Sequence, residues 1–387
     1  MKLQSHLMGF RRENGKIGIR NHIVVMAAAD NVNPLLHHIG SRNPGVVLLP
    51  ASYGRGQLGE DLEITLRSMA GLAAHPNVAG CLIVSFEEAS AERIAERVRG
   101  RDSTIRCLSF LTEGGMEPCL DRAQMMIDEI RQIAHAATRE PFEYSELVMG
   151  LECGGSDTTS GLYANPALGR LTDALHAHNS TLIFSEPVEC LGGEKSLVSR
   201  ARTREAADAM LKAIKGFEII AQEAGIDLGG INPTADNIAG GLTTIEEKSL
   251  GAIAKTGSVT IEGCIGYGEH PPHRGLWMMD APAAAVENLT ALAAGGCQIT
   301  AFVTGSCNPI GHTIMPTVKI SANQKTTQVM ADHIDVDLAQ HFSAGLSLDE
   351  AASAISENVA RVINGAETAA ETLRYLHSNI SRFGKSV

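Results

Sequence analysis

The feature that most constrains this chain is a rhythm in its first 140 residues. Apolar runs of strand length at 22–28, 45–50, 78–85 and 104–111 alternate with amphipathic stretches at 33–39, 62–74, 91–99 and 118–137. A helix between two strands brings the chain back to the same edge of a sheet, so the strands run parallel with helices on the faces. The runs are apolar throughout, as strands covered on both faces must be.

After Arg139-Glu140-Pro141, read as a short boundary, the rhythm resumes. Strands are predicted at 146–151, 180–185, 259–265, 275–279 and 298–304. Helices are predicted at 165–178, 203–224, 244–255 and 284–294. Residues 232–241 read as a polar loop, and 347–377, rich in Ala and Glu, as strongly helical. The expectation is an α/β protein of two or three lobes, with mostly parallel sheets flanked by helices in Rossmann-like layers. One domain is expected over 1–142 and a catalytic region over 143–387, with a further division near 230–245.

Composition removes several functions. The formal net charge is −12 and aromatics make up 4%. An acidic, aromatic-poor chain suits neither a phosphate backbone nor stacked bases, so no nucleic-acid partner is expected. No run of 18 apolar residues exists, and the first twelve residues lack the apolar core of a signal peptide. The expected location is cytoplasmic, with no membrane partner. The eight cysteines have no CxxC or finger spacing and read as free thiols.

Ligands of parallel sheets bind beyond the carboxyl ends of the strands, which directs attention to four loops. In the first, Glu152-Cys153-Gly154-Gly155-Ser156-Asp157 precedes Asn165-Pro166. Its glycines allow close backbone approach, and the helix opening at Asn165 attracts a carboxylate. Cys153 is a candidate metal thiolate, with Glu152 or Asp157 as hard ligand; the bland reading is a tight polar turn. It is not a phosphate loop. The second holds Glu186, Glu189 and Glu194, suited to a divalent cation, to an acid/base pair, or to plain solvation. The third starts a helix capped by Thr243 or Thr244, with Glu247 placed for a capping box if Thr244 is the cap. Its Lys248 steadies an enolate, acts as a base, or lies on the surface. The fourth carries Ser306, Cys307, Asn308 and His312, with Lys319 following on a strand to pair with a carboxylate. Unaided, these residues describe a polar, anion-tolerant cleft.

Motifs in order along the whole chain say more. Gly15-Lys16-Ile17-Gly18-Ile19-Arg20-Asn21, Cys153-Gly154-Gly155-Ser156-Asp157, Ser185-Glu186 with Glu189 and Glu194, Ala239-Gly240-Gly241-Leu242-Thr243-Thr244, Glu247-Lys248-Ser249-Leu250-Gly251, Met279-Asp280-Ala281-Pro282 and Pro316-Thr317-Val318-Lys319-Ile320 resemble the altronate/galactarate dehydratase family. That resemblance implies a lyase of the dehydratase type. It would perform metal-assisted β-elimination on a small hydroxylated carboxylate, either a sugar acid or (R)-sulfolactate. It implies iron(II) or manganese(II), a small SAF-type partner subunit and an oligomeric enzyme. On this footing Cys153, Glu186 and Glu189 are the expected metal ligands. Lys248, His312 and Glu189 are the expected catalytic groups. Arg20, Asn21, Arg55, Ser156, Asp157, Asn165 and Lys319 are expected to hold the substrate.

One departure stands out. Sugar-acid dehydratases of the family tend to have a His and a Cys in the loop after the second strand, where this chain reads Ser52-Tyr53-Gly54-Arg55-Gly56-Gln57. Either the metal site differs, or Arg55 binds a second anionic group such as a sulfonate. Two other readings stand beside the lyase. A nucleotide-dependent oxidoreductase is disfavoured because Ala29-Asp30-Asn31-Val32 replaces a G-x-G-x-x-G turn. The alternative to an enzyme is a small-molecule-binding or scaffolding subunit whose partner carries the chemistry.

Overall fold

The computed structural model describes residues 3–98, 104–227 and 232–387. Arg99, the expected end of one helix, lies outside the described residues. The expected α/β architecture is present, with both large sheets wholly parallel. Strands β1 (Leu7–Arg11), β2 (Ile17–Gly18), β3 (His22–Ala27), β4 (Val47–Leu49), β5 (Val78–Ser85) and β6 (Thr104–Ser109) come first. Four of them form a parallel sheet in the order β4-β3-β5-β6. β7 (Arg139–Phe142) follows, then β8 (Val148–Gly154), β9 (Thr181–Phe184), β10 (Ile261–Ile265), β11 (Gly275–Met279) and β12 (Ile299–Thr304). The last are β13 (Gly311–His312), β14 (Thr317–Ser321), β15 (Val336–Asp337) and β16 (Leu376–His377). The second parallel sheet has the order β10-β11-β9-β8-β12-β14-β15.

Three local readings change. Arg139-Glu140-Pro141 lies in β7, which pairs antiparallel with β1 in a small sheet with β2. The polar loop at 232–241 contains a helix, Ala235–Ala239, started by a Thr234/Asn237 capping box. The terminal helix, Leu348–Ile363, is opened by a Ser347/Glu350 box and ends at Asn364. The chain then makes a short turn of helix, Ala369–Thr372, and β16, which runs alongside β13.

The two large sheets share buried apolar side chains. Met26, Leu72 and Ile83 belong to one cluster with Leu289, Leu292, Phe302 and Ile314. The contact depends on Gly71 in the helix Gly59–Ala73, where a Cβ would stand 2.3 Å from the carbonyl oxygen of Ala294. β8 is the first strand of its sheet in the chain, and the chain later places strands on both of its sides. That reversal makes the carboxyl end of β8 a topological switch point, the place where such sheets bind ligands.

Candidate active site

The carboxyl end of β8 and its neighbours holds an unusual set of buried charges. The register pairs Glu152 of β8 with Phe302 of β12, and Phe302 with Lys319 of β14, so the three side chains share one row across the sheet. Lys319 is wholly buried, and its Nζ lies 3.4 Å from the centre of the Phe302 ring. No hydrogen-bond partner reaches that Nζ. Glu152 is 1% exposed, and its Oε1 also lacks a partner.

On β9 the chain leaves the sheet at Ser185 and turns through Glu186, a non-glycine residue at φ +67°. Such a conformation is strained for a residue with a Cβ. Here it accompanies a carboxylate turned inward: Glu186 Oε2 accepts from Lys255 Nζ at 2.7 Å. Lys255 also lies 3.0 Å from Cys153 Sγ. Lys248 lies seven residues before Lys255, in the helix Ile245–Ile253 that runs into the 3-10 turn Ala254–Thr256 carrying Lys255. Its ammonium pairs with Glu189 at 2.9 Å and donates to Asn232 Oδ1 at 2.8 Å. The helix carrying Lys248, Ile245–Ile253, is capped by Thr244 as one of the two expected options. Glu247 reaches Thr243 N–H rather than the cap residue. The helix can lie close to the first loop because Gly251 faces Gly161. A Cβ on Gly251 would stand 2.9 Å from the Gly161 Cα.

Burial decides the protonation states. It pushes the Glu152 carboxyl well above its ordinary range, helped by the nearby Glu186 charge. Glu186 rises to about 7, again chiefly through burial, with Lys255 pulling the other way. Cys153 rises to about 12 and is a thiol at neutral pH. Burial opposes the Lys255 ammonium, but its anionic neighbours outweigh this and hold its pKa well above the ordinary value. With Cys153 a thiol, Glu186 is the neighbour that does so. Lys319 falls to about 7 because it is desolvated and only partly compensated by Glu152. The Phe302 face opposes that fall by favouring the cation.

The residues expected from sequence divide into two groups. Cys153, Glu186, Glu189, Lys248 and Lys319 come together at this end of the sheet. Asn165, also buried, opens the helix Asn165–Ala177 with an unpartnered Oδ1. Asp157 holds the loop in shape: its carboxylate accepts from Ser160 N–H at 2.7 Å and from Asn323 Nδ2 at 2.6 Å. Ser156 is buried beside it, its carbonyl taking Asn237 Nδ2 at 2.9 Å.

The other group has structural work. All five N–H donors of Arg20 are used within the fold, on the Glu371 carboxylate and the carbonyls of Ile19, Val362 and Ala366. Asn21 is held by Arg12 and the Ala134 carbonyl. Arg55 is exposed and pairs with Glu87 at 3.4 Å. His312 is buried in β13, and desolvation takes its pKa to about 3. Such a ring does not exchange protons near neutrality, which corrects the acid/base expectation for it.

Sequence reasoning missed Lys255. Its signal was present: a lysine among Gly251-Ala252-Ile253-Ala254 and Thr256-Gly257, seven residues after Lys248. Asn288, which accepts from Ser185 Oγ at 2.8 Å, had no signal of its own.

The trio Cys153, Glu186 and Glu189 does not fit a resident divalent ion in this arrangement. An ammonium, that of Lys255, already stands between the thiol and the Glu186 carboxylate, and Lys248 takes Glu189. Among the described residues, no three His, Cys, Asp or Glu side chains converge as a ligand shell. A cleft of about 700 Å³ lined by Leu191, Gly192, Glu194, Ile245 and Glu246 borders the Glu189 and Lys248 segments. A different cavity, at the carboxyl ends of β3 and β4, is lined by Tyr53, Gln57, Thr290 and Asn379 among others, and by no carboxylate, lysine, histidine or cysteine.

Comparison with known proteins finds two matching family regions. Residues 144–386 match the family described as D-galactarate/altronate dehydratase, C-terminal, and residues 9–135 match the D-galactarate dehydratase/altronate hydrolase second domain. The chain is 36% identical over 383 residues to the (2R)-sulfolactate sulfo-lyase subunit beta of Chromohalobacter salexigens, covering 98% of each. It is 33% identical to the altronate dehydratase of Bacillus subtilis, covering 88% of this chain and 69% of that one. Against the altronate dehydratase of Escherichia coli the identity is 30%, covering 94% and 74%.

Proposed function

The chain belongs to the D-galactarate/altronate dehydratase family, and from that premise we propose that it is a lyase performing β-elimination on a small 2-hydroxy carboxylate at the carboxyl end of β8. One observation carries the placement. Lys319 Nζ and Glu152 Oε1 are buried, lack partners and lie in one row of the sheet. Buried polar atoms are normally hydrogen-bonded, so a pair left open at the switch point marks where reacting atoms sit.

The residues divide the reaction as follows. Lys255 and Lys248 attract the substrate carboxylate, and they draw negative charge as an enediolate develops. Lys319, with an amine available near neutrality, takes the proton from C2. Electrons from that C–H bond form the C2–C3 double bond, and the bond from C3 to the leaving group breaks. A leaving hydroxyl takes a proton from the neutral Glu152 and departs as water; a sulfonate departs as sulfite without one. The enol left behind becomes a 2-oxo acid. Asp157 and Asn165 position the loop and helix around the substrate.

Full-length likeness to a sulfo-lyase subunit supports (2R)-sulfolactate as the first substrate to test, with altronate and galactarate next. The word "subunit" in that relative's name supports a partner for this chain, proposed to be a small SAF-type subunit. The deciding assay follows sulfite and 2-oxo acid from each substrate, with and without such a partner, in wild type and Lys319→Met. Turnover that Lys319→Met loses supports the proposal; turnover that it keeps overturns the placement. The same assay tests iron(II) and manganese(II). Activity lost on chelation and restored by either ion would bring a metal into the reaction, at other ligands or after Lys255 has moved.

A further inference from the structure

The elimination leaves a 2-oxo acid beside Lys319, and the surroundings of that lysine suit more than proton transfer. Most lysines of a folded protein are exposed ammonium groups, solvated or paired, with no lone pair to offer. Lys319 has no hydrogen-bond partner: its side chain is wholly buried, and its Nζ lies 3.4 Å from the centre of the Phe302 ring. Lys255 and Lys248, the other lysines here, are paired with Glu186 and Glu189. Along the same row stands a carboxyl group, Glu152, with one oxygen unpartnered. An unpaired amine and an unpaired carboxyl stand on one face of the sheet, on either side of Phe302, and they are the two groups that carbonyl condensation requires.

We propose that Lys319 captures 2-oxo acids as an imine, giving this site a second activity: exchange of the C3 protons of 2-oxo acids with solvent. The inference rests on the elimination reading only for the identity of the ligand.

The steps balance without an added oxidant or reductant. The Lys319 nitrogen lone pair attacks the C2 carbonyl carbon, and the carbonyl oxygen takes a proton from Glu152. The carbinolamine loses that oxygen as water, and a protonated imine forms between C2 and Nζ. Its positive nitrogen acidifies the C3–H bond, and the Glu152 carboxylate takes that proton to give an enamine. A solvent proton returned to C3, followed by addition of water at C2, releases the 2-oxo acid with one hydrogen exchanged. The positive charge of the imine stays on the face of Phe302, which stabilises a cation without quenching it.

Burial supports selectivity for this lysine. At pH 7 an amine with a pKa of about 7 is half neutral. An ordinary lysine near 10.4 is neutral to roughly one part in 2,500, so the free-amine fraction differs on the order of a thousandfold.

The experiment incubates the full chain with pyruvate and sodium borohydride, which reduces an imine to a stable secondary amine, and maps the product by peptide mass spectrometry. In parallel, pyruvate in deuterium oxide is followed by proton NMR for loss of its methyl signal. The expected result is one adduct per chain, on the peptide carrying Lys319, exceeding other lysine peptides about a hundredfold, together with catalysed exchange. Mapping uses wild type, so it does not depend on a variant folding. Lys319→Met should lose adduct and exchange while keeping the wild-type unfolding transition. Adducts spread over surface lysines, or an adduct-free Lys319 peptide, overturn the proposal. Lyase turnover without the adduct leaves the elimination reading standing and removes only this inference. Adduct and exchange without turnover of any hydroxy acid keep this inference and remove the elimination reading.

Discussion

Replacing Phe302 by Leu tests whether Lys319 is the base. Lys319 balances two opposed influences. Burial lowers its pKa to about 7, and the Phe302 ring, 3.4 Å from Nζ, favours the ammonium. A desolvated cation–π contact contributes about 2 kcal/mol. One pKa unit corresponds to about 1.4 kcal/mol, so losing the ring lowers the Lys319 pKa by roughly 1 to 1.5 units. The base is active when neutral, so kcat/KM rises with pH through its pKa. In wild type that rise is expected near 7, and in Phe302→Leu near 6. Phe302 is fully buried, so the variant also loses about 1–2 kcal/mol of stability, well short of unfolding a domain of this size. The assay is kcat/KM from pH 5 to 9, which reports groups of the free enzyme, beside a urea midpoint at each pH. An acid limb that stays put or moves upward refutes the assignment. A wild-type limb near 4 gives the role to a carboxylate instead.

Other perturbations have defined outcomes. Lys255→Met leaves Glu186 buried without its cation, and destabilisation of about 3–5 kcal/mol is expected by urea unfolding. Most of this should return in the Lys255→Met/Glu186→Leu double variant, and two additive losses would show that the pair is not coupled. Gly251→Ala places a methyl 2.9 Å from the Gly161 Cα and pushes the Lys248 helix outward. The expected result is a loss of kcat on the order of tenfold or more with little change in unfolding, since active-site displacements of about 1 Å cost that much. Burial holds His75 and His312 neutral, with folded pKa values of about 3 against roughly 6.5 unfolded. Their contribution to stability is therefore complete above pH 6.5 and is lost as pH falls from there toward 3. The two together give a slope approaching about 2.7 kcal/mol per pH unit within that window. Urea midpoints that stay flat between pH 7 and 4.5 contradict this.

The sequence determined what is local or periodic. Apolar runs of strand length fixed where β3, β5, β8, β9 and β12 lie, and their uniform hydrophobicity fixed that both faces are covered. Strand-end loops rich in Gly and acids located Cys153, Glu186 and Glu189. Thr244 capped its helix as a capping residue should. What the sequence left open was the partner of each charge, because pairing depends on sheet register and on contacts between distant segments. Arg20 belongs to a motif and looks like an anion ligand, yet Glu371, 351 residues away, takes it. Lys255 passed as the end of a helix because Cys153 and Glu186 lie 102 and 69 residues distant. His312 looked like a base until the fold enclosed it in β13, where desolvation outweighs every interaction that would charge it. Local sequence dictates which groups reach the carboxyl end of the sheet; only tertiary packing decides which of them are neutralised by each other and which remain open to a substrate.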